Sequence, residues 1–254
     1  MEKKERIVIV TGAAQGIGFA IAKAFVENGD WVAIADIKVE AAEKAAAQLG
    51  NAKGYKVDLT LEEDIKRFVE QVVAEKGTVD VVVNNAGLQY ISTVEDFPLD
   101  KWNQLLRVIL TGTFLMTKYT LPIFKAKNKG RIINISSTHG QIADPFKSAY
   151  VAAKFGVEGF TKTVALENAQ TGITANTIMP GPVRTQLIEN QIAKLAAEDG
   201  TSEQEAMEKH ILGKQPMKRL LEPFEVGATA VFLASEGANA ITGTSLNVSG
   251  GMLA

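Results

Sequence analysis

Tyr150 and Lys154 are four residues apart on a segment with helical patterning, so their side chains share one face. An ammonium beside a phenol favours the phenolate and pulls its pKa down from about 10 toward working pH. Tyr150 can then exchange a proton with an alcohol. Ser137 lies on a polar loop ahead of that helix and offers a hydroxyl to the same oxygen as charge develops on it. The set suits alcohol and carbonyl chemistry. Because Tyr-x-x-x-Lys also occurs on ordinary helices, the surrounding elements must supply a reaction partner.

Those elements alternate. Arg6–Val10 is a β-branched apolar run, as expected of a strand buried on both faces, and it feeds Thr11-Gly-Ala-Ala-Gln-Gly-Ile-Gly18 and a helix that stops near Gly29. Strand patterns follow at Trp31–Ala35, Lys53–Val57, Asp80–Val83, Arg131–Ile135, Ile173–Ile178 and Ser245–Val248, with helical patterns between them. The expected fold is α/β: a single-domain Rossmann-type doubly wound sheet of about seven parallel strands with helices on both faces. A long helical stretch, Leu99 to about Lys127, is expected to bend or break at Pro122. A polar helical insertion begins at Gln186, breaks at Gly200 and restarts on the capping box Ser202-Glu-Gln-Glu205. It is expected to form a substrate lid over about 186–213 of a single domain spanning 1–254.

Strand ends of such a sheet carry ligands. Gly12, Gly16 and Gly18, with Gln15 and Ile17 between them, form a turn into a helix N-terminus. A pyrophosphate is accepted there by close backbone approach and the helix dipole. Asp36, ending the second strand, can accept hydrogen bonds from a ribose 2'-hydroxyl and would repel a 2'-phosphate. No arginine follows it, so the expected cofactor is NAD rather than NADP. Asp58 is a candidate for the adenine amino group or, equally, an ordinary helix N-terminal acid. Asn84-Asn-Ala-Gly87 would bring Asn85, Ala86 and Gly87 beside the cofactor.

With 27 basic and 29 acidic residues in 254, the net charge is -2, which gives no electrostatic case for nucleic acid or an anionic membrane. Zero cysteines exclude disulfides and thiolate chemistry, and nothing calls for a metal ion. Met1-Glu-Lys-Lys-Glu-Arg6 has no apolar signal region and no apolar run approaches membrane-spanning length, so a cytoplasmic location is the expectation.

The glycine turn, Asn84-Asn-Ala-Gly87, Ser137, Tyr150-x-x-x-Lys154 and Pro180-Gly181, in this order and spacing, resemble the short-chain dehydrogenase/reductase family over essentially the whole chain. The resemblance implies Tyr150 as acid/base, Lys154 as the group that lowers its pKa and binds the nicotinamide ribose, and Ser137 as the group that positions the substrate oxygen. It also places Pro180, Val183 and Thr185 near the nicotinamide. The family usually has an asparagine where this chain has Ile109, with the helix carbonyl at that position anchoring a water. Isoleucine has no polar group to fix the helix distortion or the water, so a weakened proton relay is expected.

Gly87-Leu-Gln89, Val94-Glu-Asp-Phe-Pro98, Ser137-Thr-His-Gly140, Lys147 to Lys154 and Lys214-Gln-Pro216 narrow the resemblance. They match family members that interconvert (R)-3-hydroxybutyrate and acetoacetate. By that resemblance Gln89, His139, Lys147 and Gln191 hold the substrate carboxylate, with Ser137 and Tyr150 at the reacting oxygen; a small anion needs a cation, and Lys147 supplies one. Pro182 and Met252 stand where that group has tryptophans, which would widen the pocket. Other readings are a dehydrogenase for a neutral diol, sugar or cyclic alcohol, and a non-catalytic NADH-sensing regulator. The apolar faces of the helices Leu99–Lys127 and Tyr150–Ala169 could pack against copies of themselves, and the family resemblance implies a homotetramer.

Overall fold

The computed structural model describes residues 5–254; the polar start, Met1 to Lys4, lies outside them. Seven described strands, β1 (Ile7–Thr11), β2 (Trp31–Asp36), β3 (Ala52–Lys56), β4 (Val81–Asn84), β5 (Gly130–Ile135), β6 (Ile173–Pro180) and β7 (Ser245–Val248), form one sheet in the order β3-β2-β1-β4-β5-β6-β7. Every pairing is parallel. The chain starts in the middle, winds out to β3 and returns to β4, so a crevice opens between the carboxyl ends of β1 and β4.

Successive side chains of a strand point to opposite faces. Ile7 and Ile9 of β1 join a core with α3 (Glu62–Lys76) and α5 (Gly112–Ala126), while Val8 and Val10 join a second core with α1 (Gly16–Glu27), α2 (Val39–Leu49) and α9 (Pro223–Leu233). Each fully buried Val or Ile side chain contributes roughly 1.5–3 kcal/mol. The β-branched runs of the sequence thus become a sheet covered on both sides.

The long helical stretch breaks, but not where expected. α4 (Leu99–Leu106) passes into a π-helical turn, Arg107–Thr111, and α5 then runs unbroken through Pro122. In that turn the Gly112 N–H donates to the Arg107 carbonyl. Gly112 also sits so close to Leu59 that a Cβ there would lie 3.1 Å from the leucine Cβ.

α6 (Ser148–Glu167) follows β5. The insertion forms α7 (Gln186–Asp199) and α8 (Glu203–Ala206), separated by Gly200 at φ +66 and restarted by the Ser202–Glu205 capping box. It has a small apolar cluster of its own, with Ile192 and Leu212 packed beside Leu220.

Candidate active site

The glycine turn and the turn after β4 are fastened together. Thr11 Oγ1 accepts from the backbone N–H of Asn85 at 3.0 Å and of Ala86 at 3.2 Å, and the Asn85 amide donates to the carbonyls of Thr11 and Gly12. A Cβ on Gly12 would stand 2.8 Å from Ala86 Cα, and one on Gly18 would stand 2.3 Å from the Gly12 carbonyl oxygen. Gly12 and Gly16 also hold φ near +60, where a side chain is strained. The glycines are therefore required by the packing of two turns as well as by any ligand.

α1 starts at Gly16 with no side-chain cap from Gln15 and no acidic residue in its first turn. Its leading N–H groups are left for an anion, which fits a dinucleotide pyrophosphate. Thr185, the N-cap of α7, lies over this turn, its methyl 3.6 Å from where a Gly16 Cβ would be. Asp36 ends β2 beside the turn, its carboxylate accepting from the N–H of Ala14 at 3.3 Å and of Lys38 at 3.1 Å. Asp58 is committed locally: Oδ1 accepts from the Thr60 N–H and hydroxyl, the turn that leads into α3. Pro180 closes β6, and Val183 bridges to Leu221 beyond it.

Across the crevice, Asn134 of β5 accepts from Asn84 and donates to Thr161 of α6, and the Lys154 ammonium donates to the Ile135 carbonyl at 2.7 Å. These bonds fix the helix that carries Tyr150 against the end of the sheet. Burial pushes the Tyr150 phenol up from its ordinary value, and the hydrogen bond with Ser137 pulls it down. Burial also lowers the Lys154 ammonium to about 8, opposed by the Glu158 carboxylate. The Lys154 ammonium, engaged by that backbone carbonyl, lies 5.5 Å from the phenol ring centroid.

Ser137 caps the short helical turn Thr138–Gly140, accepting from the His139 N–H, and thereby fixes His139. The His139 ring stands edge-on to Tyr150. The Lys147 ammonium donates to His139 Nε2 at 3.1 Å and to Asp144 Oδ2 at 3.1 Å. Although Nε2 is 3.3 Å from Asp144, burial first and the Lys147 charge second lower the imidazole to about 4. The ring is neutral at pH 7 and this contact is not an ion pair. Gln89 Oε1 and His139 Nδ1 are both buried without a hydrogen-bond partner. Gln191, half-buried on α7, has no hydrogen bond to these residues among those described. Met252 sulfur is 3.3 Å from where a Gly181 Cβ would be, which places it by the turn that follows β6.

Ile109 lies in the π-helical turn, fully buried in one cluster with Tyr150 and Ala153. The distortion expected to need a polar side chain is made by the backbone, and the Ile109 carbonyl accepts from the Thr113 hydroxyl at 2.7 Å. Sequence reading named Thr11 and Lys214 only inside motifs, and gave no role to either or to Asp144. An acid three residues before Lys147 was a visible signal for Asp144, whereas nothing local joined either to Lys214.

The fold, the paired turns and the family match define the class: the chain belongs to the short-chain dehydrogenase/reductase family, a family model described as enoyl-(acyl carrier protein) reductase covering residues 12–253. Such a chain binds a nicotinamide cofactor and acts as an oxidoreductase on a small molecule. More particularly, it is 42% identical over 253 residues to the D-beta-hydroxybutyrate dehydrogenase of Cupriavidus necator, covering 98% of each chain. It is 38% identical over 255 residues to the enzyme of that name from Rhizobium meliloti, covering 98% of this chain and 99% of that one. It is also 37% identical over 253 residues to the 3-oxoacyl-[acyl-carrier-protein] reductase of Vibrio harveyi, covering 99% of each.

Proposed function

We propose that the protein is an NAD-dependent D-3-hydroxybutyrate dehydrogenase that interconverts (R)-3-hydroxybutyrate and acetoacetate. The observation that carries this reading is the Lys147 ammonium beside His139, whose Nδ1 is buried without a hydrogen-bond partner and whose ring stands edge-on to Tyr150. A small carboxylate placed there gains a charge-assisted hydrogen bond from Lys147 and accepts from the His139 Nδ1–H, which is otherwise buried without a partner. Two relatives that bear the hydroxybutyrate name support it. Asp36 supports NAD, because a 2'-phosphate would meet its carboxylate.

When bound, the nicotinamide supplies or accepts the hydride at the carbon that bears the oxygen. Tyr150 takes the alcohol proton in oxidation and returns it in reduction, Ser137 holds the same oxygen, and Lys154 holds the ribose and a positive charge near the phenol. Pro180, Val183 and Thr185 line the nicotinamide side. The segment 186–213 is the lid, and its closure would deliver Gln191 to the carboxylate. The protein works as a homotetramer in the cytoplasm.

The test is NADH absorbance with (R)- and (S)-3-hydroxybutyrate and a panel of neutral alcohols. Turnover selective for the R acid is expected; turnover of neutral alcohols alone sinks the reading. A neutral-alcohol dehydrogenase is the second reading, and one observation favours it: Asp144 already pairs with Lys147. On that reading Lys147→Ala leaves the Michaelis constant alone.

A further inference from the structure

Asp144 stands between two lysines that are far apart in sequence. Its Oδ1 accepts from Lys214 at 2.6 Å, just beyond the 186–213 segment, and its Oδ2 accepts from Lys147 at 3.1 Å. The carboxylate is 22% exposed. Burial works against its ionisation, yet hydrogen bonds from Lys214 and Lys147 hold its carboxyl below the ordinary value.

We infer that Asp144 is a specificity-determining residue, an internal counter-anion that sets the substrate pocket to the charge of one carboxylate. This rests on the hydroxy-acid reading above and names what selects among acids. Two ammonium groups, one carboxylate and a neutral imidazole leave one net positive charge. Lys147 has three N–H donors. His139 Nε2 and Asp144 Oδ2 take two, and the third has no protein partner among the described residues. A single carboxylate matches that remaining donor and that remaining charge. With Asp144 neutral, Lys147 and Lys214 would present two positive charges to one ligand group, which suits a doubly charged anion. Asp144 acts through the lysines and touches no reacting atom.

The experiment compares (R)-3-hydroxybutyrate with 2-hydroxypropylphosphonate, which carries a phosphonate on the same carbon in place of the carboxylate, at a pH where the phosphonate is doubly ionised. The unaltered protein should prefer the carboxylate. Asp144→Asn should move the ratio of kcat/KM toward the phosphonate by about tenfold or more, through KM rather than kcat. Lys214→Met should instead raise KM for (R)-3-hydroxybutyrate several-fold, since the pocket charge falls to zero. The double variant restores one net charge and should recover the carboxylate preference, which repair of a purely structural defect would not do.

An unchanged ratio in Asp144→Asn, or a double variant no closer to the unaltered protein than either single one, overturns the inference alone. Should Asp144→Asn not fold, an unchanged KM in Lys214→Met overturns it equally. An unaltered protein that oxidises neutral alcohols and no hydroxy acid overturns the function and this inference together.

Discussion

At the glycine turn, Thr11 and Asn85 take their hydrogen bonds from within the chain, and glycines allow two turns to touch. Across the crevice, His139 and Gln89 keep buried polar atoms without partners, and Lys147 and Lys214 share one carboxylate. The first region has its side chains partnered and leaves only backbone N–H groups at the start of α1 for a ligand, whereas the second leaves buried side-chain atoms open. A dinucleotide site shared by many reactions can be built from backbone geometry. A substrate site must hold its donors at a cost in stability.

The strongest test stands where the two regions meet. Tyr150→Phe should lower kcat by about a thousandfold or more, the loss expected of a positioned acid/base, while the dissociation constant for NADH stays within about twofold. Retained turnover would remove Tyr150 from the chemistry.

Gly18→Ala should be costly because the turns are finished. Its Cβ meets the Gly12 carbonyl and the Asn85 amide, so stability should fall by about 3 kcal/mol in denaturant unfolding, with weaker cofactor binding. A mild effect on both would mean that the turns can separate.

His139 gives a pH signature on the other side. Its folded pKa of about 4 lies below the unfolded value near 6.5, so the unfolded chain binds the extra proton between them. Stability attributable to this ring is present above about pH 6.5 and lost as pH falls to about 4. Relative to the unaltered protein, His139→Asn should flatten unfolding free energy against pH in that window, by no more than about 3 kcal/mol. Parallel curves would show that the ring is not held neutral.

Lys147→Ala should raise KM for the hydroxy acid by about tenfold, about 1.4 kcal/mol, with little change in melting temperature. Gln89→Leu is the smallest effect: removal of an unpartnered buried acceptor should stabilise the fold by about 1 kcal/mol while the acid KM rises. A loss of stability would show that the substrate side, too, is complete without ligand.

The sequence by itself determined what is local. β-branched runs, the glycine spacing, the Ser202 cap and the four-residue interval of Tyr150 and Lys154 depend on strand and helix periods that neighbouring residues set, and the strands and the family followed from them. Tertiary structure decided what depends on approach between distant segments. The break in the long helix lies at the π-helical turn, next to the close approach of Gly112 and Leu59, and not at Pro122. Lys154 found the Ile135 carbonyl at the end of β5, and burial raised the Tyr150 phenol. Asp144 found Lys214 seventy residues away. Burial and charge count are properties of a filled volume, and no window along the chain contains one.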